Sequence, residues 1–217
     1  YKNAIDPYFK AKVGPVDLQG EFRYIWGKVK WEDGYNPGFG DVDISAYDLW
    51  LDATANFNMF YVGGSFAWLS GDDPSTSDEL EGSANTAGTD YTPCLIMFNY
   101  KDLNYWAGNI SSYTPYQVVD SQMANAIFFQ VRGGVKPTAQ TDVMLSVSYA
   151  KADEKPSYAA DKDYGWEVDL TGTYKITNNL SYMLGVGYLF TGDYFKVPGG
   201  PDVNDDYLLI NKLTLSF

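Results

Sequence analysis

The sequence predicts an all-β chain: a transmembrane antiparallel up-and-down β-barrel, or the C-terminal part of one, with residues 1–217 as a single domain. Three observations predict it. Apolar residues recur at every second position through long stretches, which is the period of a strand and not of a helix. The rows between them carry full charges, while the apolar rows end in aromatics, as a barrel's lipid face does at its two interfaces. The connections alternate between tight turns and long loops, as a barrel sorts them onto opposite rims. A water-soluble sandwich is the alternative, but it has no reason to sort its loops by length.

The pattern is clearest in residues 163–217. Trp166, Val168, Leu170, Tyr174 and Ile176 form one row, and Glu167, Asp169, Thr171, Thr173 and Lys175 the other. After a tight turn at 177–179, Tyr182, Leu184, Val186, Tyr188 and Phe190 alternate with Ser181, Gly185 and Gly187. The last strand sets Tyr207, Leu209, Leu213, Leu215 and Phe217 against Lys212, Thr214 and Ser216. Each stretch reaches the roughly 9–11 residues that a tilted strand needs to cross a bilayer.

The same alternation runs from the start of the chain. Phe9, Ala11 and Val13 oppose Lys10 and Lys12, and a turn follows at 14–17. Phe22, Tyr24 and Trp26 oppose Gln19, Glu21 and Arg23, and a Gly/Asp/Pro loop spans 32–43. Tyr47, Leu49, Leu51 and Ala53 oppose Asp48, Trp50, Asp52 and Thr54. Beyond a turn at 56–58, Phe60, Val62, Phe66 and Trp68 alternate with Tyr61, Gly63, Ser65 and Ala67. Ile127, Phe129, Val131 and Val135 oppose Gln130, Arg132 and Lys136. After a turn at 138–141, Val143, Leu145, Val147 and Tyr149 mark the next strand, and a loop spans 153–163.

Residues 71–124 break this rhythm. A polar Ser/Thr/Asp/Gly stretch leads into the apolar run Cys94-Leu-Ile-Met-Phe98, then Tyr105 and Trp106, then a polar run from Asn109 to Asn125. Connections this long are functional or without regular structure. The apolar middle must bury itself, because each large side chain left in water forgoes roughly 1.5–3 kcal/mol. Either residues 92–99 and 103–110 add a hairpin to the wall, or the segment folds into the mouth as a constriction. Pro93 and the interruption at 99–102 make a poor hairpin and favour folding inward.

Composition bounds the function. Aromatics make up 17% of the chain and mean hydropathy is −0.28, with no apolar run of about 18 residues that would make a transmembrane helix. The net charge of −13 and the lack of a basic patch argue against nucleic acid as a partner. The acids gather in the long loops, as solvated charge or as ligands for divalent cations among anionic headgroups. With one cysteine there is no internal disulfide. There is no histidine, so the usual base of membrane lipases, acyltransferases and proteases is missing and no enzyme is expected. Glu167 and Asp169, two apart on a charged row, read as ordinary lumen carboxylates. The run Asp202-Val-Asn-Asp-Asp206 lacks the spacing of an EF-hand. No catalytic site, metal or cofactor is therefore expected. Opening at Tyr1 without a leader fits a mature form or a fragment.

The terminal Leu213-Thr-Leu-Ser-Phe217 resembles the signal read by the barrel-assembly machinery of bacterial outer membranes, with Leu213, Leu215 and Phe217 as its apolar positions. The run Asp163 to Tyr182 is similar to the closing hairpins of large outer-membrane porins, including alginate-export-like ones. The resemblance implies an integral outer-membrane location in a Gram-negative envelope, with outer-membrane lipid, lipopolysaccharide and the assembly machinery as partners. It also implies short periplasmic turns, long extracellular loops and passive transport of small hydrophilic solutes or ions.

The candidate pore-lining residues are Lys10, Lys12, Glu21, Arg23, Asp48, Asp52, Arg132, Lys136, Glu167, Asp169, Lys175 and Lys212. The candidate constriction residues are Cys94, Phe98, Tyr105 and Trp106. The competing reading is a non-conducting structural or partner-binding barrel, a sheath or a subunit of a larger envelope assembly. The strand count is roughly nine, or eleven with the extra hairpin. Single-chain bacterial barrels close with an even number, so further strands from the same or another chain, or a homo-oligomer, are expected.

Overall fold

Strand propensity and tight turns together produce a meander. A computed structural model describes residues 1–30, 40–83, 91–106 and 121–217. The strands are β1 (Lys2–Ile5), β2 (Tyr8–Val13), β3 (Val16–Val29), β4 (Val42–Phe57), β5 (Phe60–Leu69), β6 (Glu79–Leu80), β7 (Ala126–Thr138), β8 (Thr141–Lys151), β9 (Asp163–Lys175), β10 (Leu180–Thr191) and β11 (Asp206–Leu215). They form one sheet of 11 strands in the order β1-β3-β4-β5-β7-β8-β9-β10-β11, with every pair on that path antiparallel. β1 and β2 lie on the same side of β3 and act as one interrupted stave, while β6 runs parallel beside the start of β4. Among the described residues the sheet is a partial barrel, open between the β1/β2 stave and β11.

The interruption has a chemical cause. Pro7 cannot donate to a ladder, so the strand breaks at Asp6-Pro7 while the Pro7 carbonyl still accepts from Phe22 N–H at 3.0 Å. Arg23 spans the break, donating from Nε and Nη2 to one oxygen of Asp6 at 2.9 and 2.7 Å. The tight turns use residues that tolerate positive φ: Gly14 at 58° and Asn58 at 56°. The four tight turns fall at one end of the strands and the long connections at the other.

Among the described residues, the strands do not include the alternative hairpin at 92–99 and 103–110. Eleven segments arise from the break after Ile5 and from the two-residue β6, not from a hairpin in the long connection. Residues 91–99 form no strand, and Tyr100–Trp106 is a short π-helix. Residues 107–110, the rest of the expected second strand, lie outside the described residues, as do most of the 32–43 loop and the run from 109 to 120.

Register fixes the faces, because residues paired across strands share a side. One inner row runs Gln19, Asp52, Ser65, Gln130, Ser148, Glu167, Leu189, Asp206. The opposite, outer face is apolar and exposed, with Leu51, Val62, Val131, Leu145, Leu170, Leu184, Val186 and Leu209 among its residues. Aromatics mark both ends of that band: Phe57, Phe60, Tyr174 and Tyr182 by the tight turns, and Trp166, Tyr188, Phe190 and Tyr207 by the long loops. From Trp166 to Tyr174 is eight residues, about 27 Å of strand at about 3.4 Å each, which at a tilt of about 40° spans roughly 21 Å of the roughly 25 Å apolar band of a membrane barrel. The buried core sits on the inner face near the long-loop end, where residues 94–98 pack against Ala67, Leu69, Phe128, Ala150, Tyr164 and Leu189.

Candidate functional site

The inner face gathers the charged rows into one surface. Lys10 and Lys12 pair in register with Gln19 and Asp17, Glu21 with Trp50, and Arg23 with Asp48. Asp52, Arg132, Glu167, Asp169, Lys175 and Lys212 continue the same parity across β4 to β11, as does Lys136 at the end of β7. Arg132 is clamped: its guanidinium lies 2.8 Å from Asp52 and donates to Ser65 Oγ at 2.8 Å and Thr54 Oγ1 at 2.6 Å. Lys136 stands 4.9 Å over the Tyr61 ring and 3.6 Å from Asp142. Lys10, Lys12 and Lys175 are exposed near the tight-turn rim. The charged surface is therefore open at that rim and covered towards the other.

Residues 91–106 provide the cover. Ile96, Met97, Phe98 and Asn99 are at most 1% exposed. Phe98 takes φ of 56°, an unfavourable value for a bulky residue. Edge contacts to Phe128 and Tyr164, at 6.1 and 5.9 Å between ring centres, hold it there. Asn99 closes the turn, donating to Leu95 C=O at 2.8 Å and accepting from Asp102 N–H at 3.2 Å. Asp102 then accepts from Lys212 Nζ at 2.8 Å, tying the segment to β11. At its start, Pro93 C=O accepts from Gln130 Nε2 at 2.6 Å and Tyr91 packs on Trp50. Cys94 is buried and Tyr105 exposed; the Trp106 side chain lies outside the described residues.

Two wall carboxylates seat this segment. Glu167 accepts from the N–H groups of Ile96 and Met97 at 2.6 and 2.7 Å, one on each oxygen. Asp169 accepts from Leu95 N–H at 3.3 Å. Both are buried, so they face inward yet touch no open space. Gly185 and Gly187 on β10 permit the close approach: a Cβ at Gly187 would stand 2.7 Å from Asp169 Oδ1 and 3.2 Å from Leu95 Cβ. Gly187→Val is expected to lift the segment and cost about 1–3 kcal/mol through overpacking. Limited proteolysis checks it, with faster cleavage within residues 91–106 than in the parent protein.

The apolar residues Leu69, Phe128, Tyr164, Leu189, Leu208 and Ile210 belong to or pack against the buried cluster under this segment, and the alternation alone does not single them out. A signal exists in Ala126-Ile-Phe-Phe129, where an aromatic occupies the polar parity next to the long connection. Outside the strands, Tyr194 and Phe195 cover Tyr164, with Tyr194 and Tyr164 ring centres 4.2 Å apart. Burial, then the hydrogen bond with Tyr158, pushes the Tyr194 phenol well above its ordinary pKa. On the same connection, the hydrogen bond from Lys196 at 2.6 Å holds the exposed Asp202 carboxyl below its usual range.

The chain is similar to OccK1 (OpdK) of Pseudomonas aeruginosa, at a TM-score of 0.49 and 13% identity over 98% of this chain and 47% of that one. A structure of OpdK with vanillate from the same organism gives a TM-score of 0.49 and 13% identity over 98% of this chain and 46% of that one. The chain thus spans about half the length of the solved chains it matches. No family model and no curated protein matches the sequence.

Proposed function

We propose that this chain builds part of the wall of a passive outer-membrane channel for small hydrophilic solutes or ions, with residues 91–106 as its constriction. The observation that carries the reading is the inverted polarity of the sheet. Its outer face is a broad exposed apolar band bounded by aromatics, and its inner face holds the Arg132–Asp52 and Lys212–Asp102 ion pairs and hydrogen-bonded polar groups. In water such an outer face is a liability, since soluble monomers rarely expose contiguous apolar patches larger than a few hundred Å². In lipid it is the required surface, since only helices and closed barrels satisfy their backbone there. The tight turns then face the periplasm and the long loops the exterior.

In this reading Lys10, Lys12, Glu21, Arg23 and Lys175 line the open half of the lumen, while Asp48, Asp52, Arg132 and Lys212 form a braced wall beside the constriction. Glu167 and Asp169 anchor the constriction rather than line water. Transport needs none of the base chemistry that the missing histidine would supply. The test is conductance of the barrel in planar bilayers: discrete ohmic steps are expected, and a silent, correctly inserted barrel overturns the channel reading.

The second reading, a non-conducting structural barrel, draws on one observation: the segment fills the inner face with a packed apolar core instead of hanging loosely across it. Both readings place Leu213, Leu215 and Phe217 as the assembly signal. Deleting Phe217 is expected to remove most of the protein from the outer membrane while leaving strand content after refolding in detergent unchanged. Membrane fractionation alongside circular dichroism measures both.

A further inference from the structure

We infer that the seat of the inner segment is a binding site for one thiophilic divalent cation, of the zinc class, held by Cys94, Glu167 and Asp169. One sulfur and two carboxylate oxygens from these residues lie within 4.8 Å of one another, and all three residues are buried. Cys94 comes from the segment and the carboxylates from β9, so the ion bridges plug and wall.

The charge balance of the site points to a cation. Two carboxylates leave water side by side, and none of the ion pairs among the described residues involves either. Arg132, the cation nearest in register, is committed to Asp52, Ser65 and Thr54. Buried carboxylates without a counter-charge are costly. Three N–H groups serve three of the four oxygens. The fourth, Asp169 Oδ1, has no hydrogen bond.

A separate group marks the same spot. Ser146 is opposite Asp169 in register, 1% exposed, and its hydroxyl lies near that carboxylate without the alignment of a hydrogen bond. Asp169 Oδ1 and Ser146 Oγ are thus two buried oxygens at one place, neither with a hydrogen bond of normal geometry, and buried polar groups ordinarily have a partner. Gly187 keeps the space beside Asp169 Oδ1 clear of a Cβ. Thiolate with carboxylate is a donor set zinc accepts, tetrahedrally, at about 2.3 Å to sulfur and about 2.0–2.2 Å to oxygen. Reaching those distances requires the three donors to contract around the ion. The backbone N–H groups on Glu167 and Asp169 remain as the outer hydrogen bonds that orient metal-bound carboxylates. On loading, the Cys94 S–H bond loses its proton to water and a metal–sulfur bond forms.

The chain's single cysteine makes the test specific, because acidic loops that bind metal adventitiously give no sulfur signal. The refolded full chain in detergent is loaded with Cd²⁺, desalted, and read by ultraviolet absorption and metal analysis. A cadmium–thiolate charge-transfer band at about one ion per chain is expected, displaced by Zn²⁺ and lost in Cys94→Ala. Absence of the band in the parent chain overturns the inference and leaves a proton shared between the two carboxyl groups as the neutralising charge. That measurement needs no variant, so a misfolded Cys94→Ala does not blunt it. It also stands apart from conductance: a silent barrel with the band keeps this site, and a conducting barrel without it removes the site alone.

Discussion

Val186→Arg is expected to destabilise the membrane-inserted barrel by about 2–4 kcal/mol, the depth-dependent cost of a cation on the lipid face. Val186 sits in the middle of β10, half exposed, between Leu170 on β9 and Leu209 on β11, all on the outer row. No polar side chain stands opposite it in either neighbour. The control is Thr173→Arg on the inner row, with Asp142 and Met183 as its cross-strand partners. There the guanidinium meets a carboxylate at the wetter end of the face, and the cost is expected to be about 1 kcal/mol or less. Reversible unfolding in lipid vesicles measures both. Equal costs would remove the assignment of the outer face to lipid.

Glu167→Ala should have the other large effect. Its carboxylate takes two backbone N–H groups of the inner segment and is completely buried. Each buried N–H left without its acceptor costs about 1–3 kcal/mol, so the loss of both is about 2–6 kcal/mol. The orphaned donors belong to Ile96 and Met97, so the damage should concentrate in the segment and spare the sheet. Hydrogen exchange should show loss of protection in residues 94–99 with β9 retained. In the channel reading, single-channel conductance rises and grows noisier. Glu21→Ala is the contrast, since that side chain is 42% exposed and its bridge to Arg23 is 3.6 Å; a surface pair of this kind is worth about 0–1 kcal/mol.

The wall was legible because its code is local. A period of two assigns each residue to a face from its neighbours alone, and Arg132 or Lys212 needs no tertiary contact to be placed inward. The tight turns were legible for the same reason. The seat of the inner segment was not. Phe128 and Leu189 interrupt the alternation by one position each, and an isolated interruption looks like noise. The partnership of Glu167 with Ile96 and Met97 spans about seventy residues, and the donors on the segment side are backbone N–H groups that carry no side-chain signal. The π-helix at Tyr100–Trp106 likewise depends on Asn99 and on the Asp102–Lys212 bridge, which is a contact between the middle and the end of the chain. Local pattern therefore specifies the surface, and long-range pairing specifies what is laid upon it.

The order of the staves carries a parity constraint. Counting β1 with β2 as one, the path from that stave to β11 has nine members, each antiparallel to the next. The first and the ninth therefore point the same way. Stitched directly together, they would make a parallel seam in an otherwise antiparallel cylinder. Any closure that keeps alternate directions throughout needs an odd number of intervening strands, whichever chain supplies them. Such strands must also match the free edge of β11 in length, because every unmatched peptide group left in hydrocarbon costs several kcal/mol.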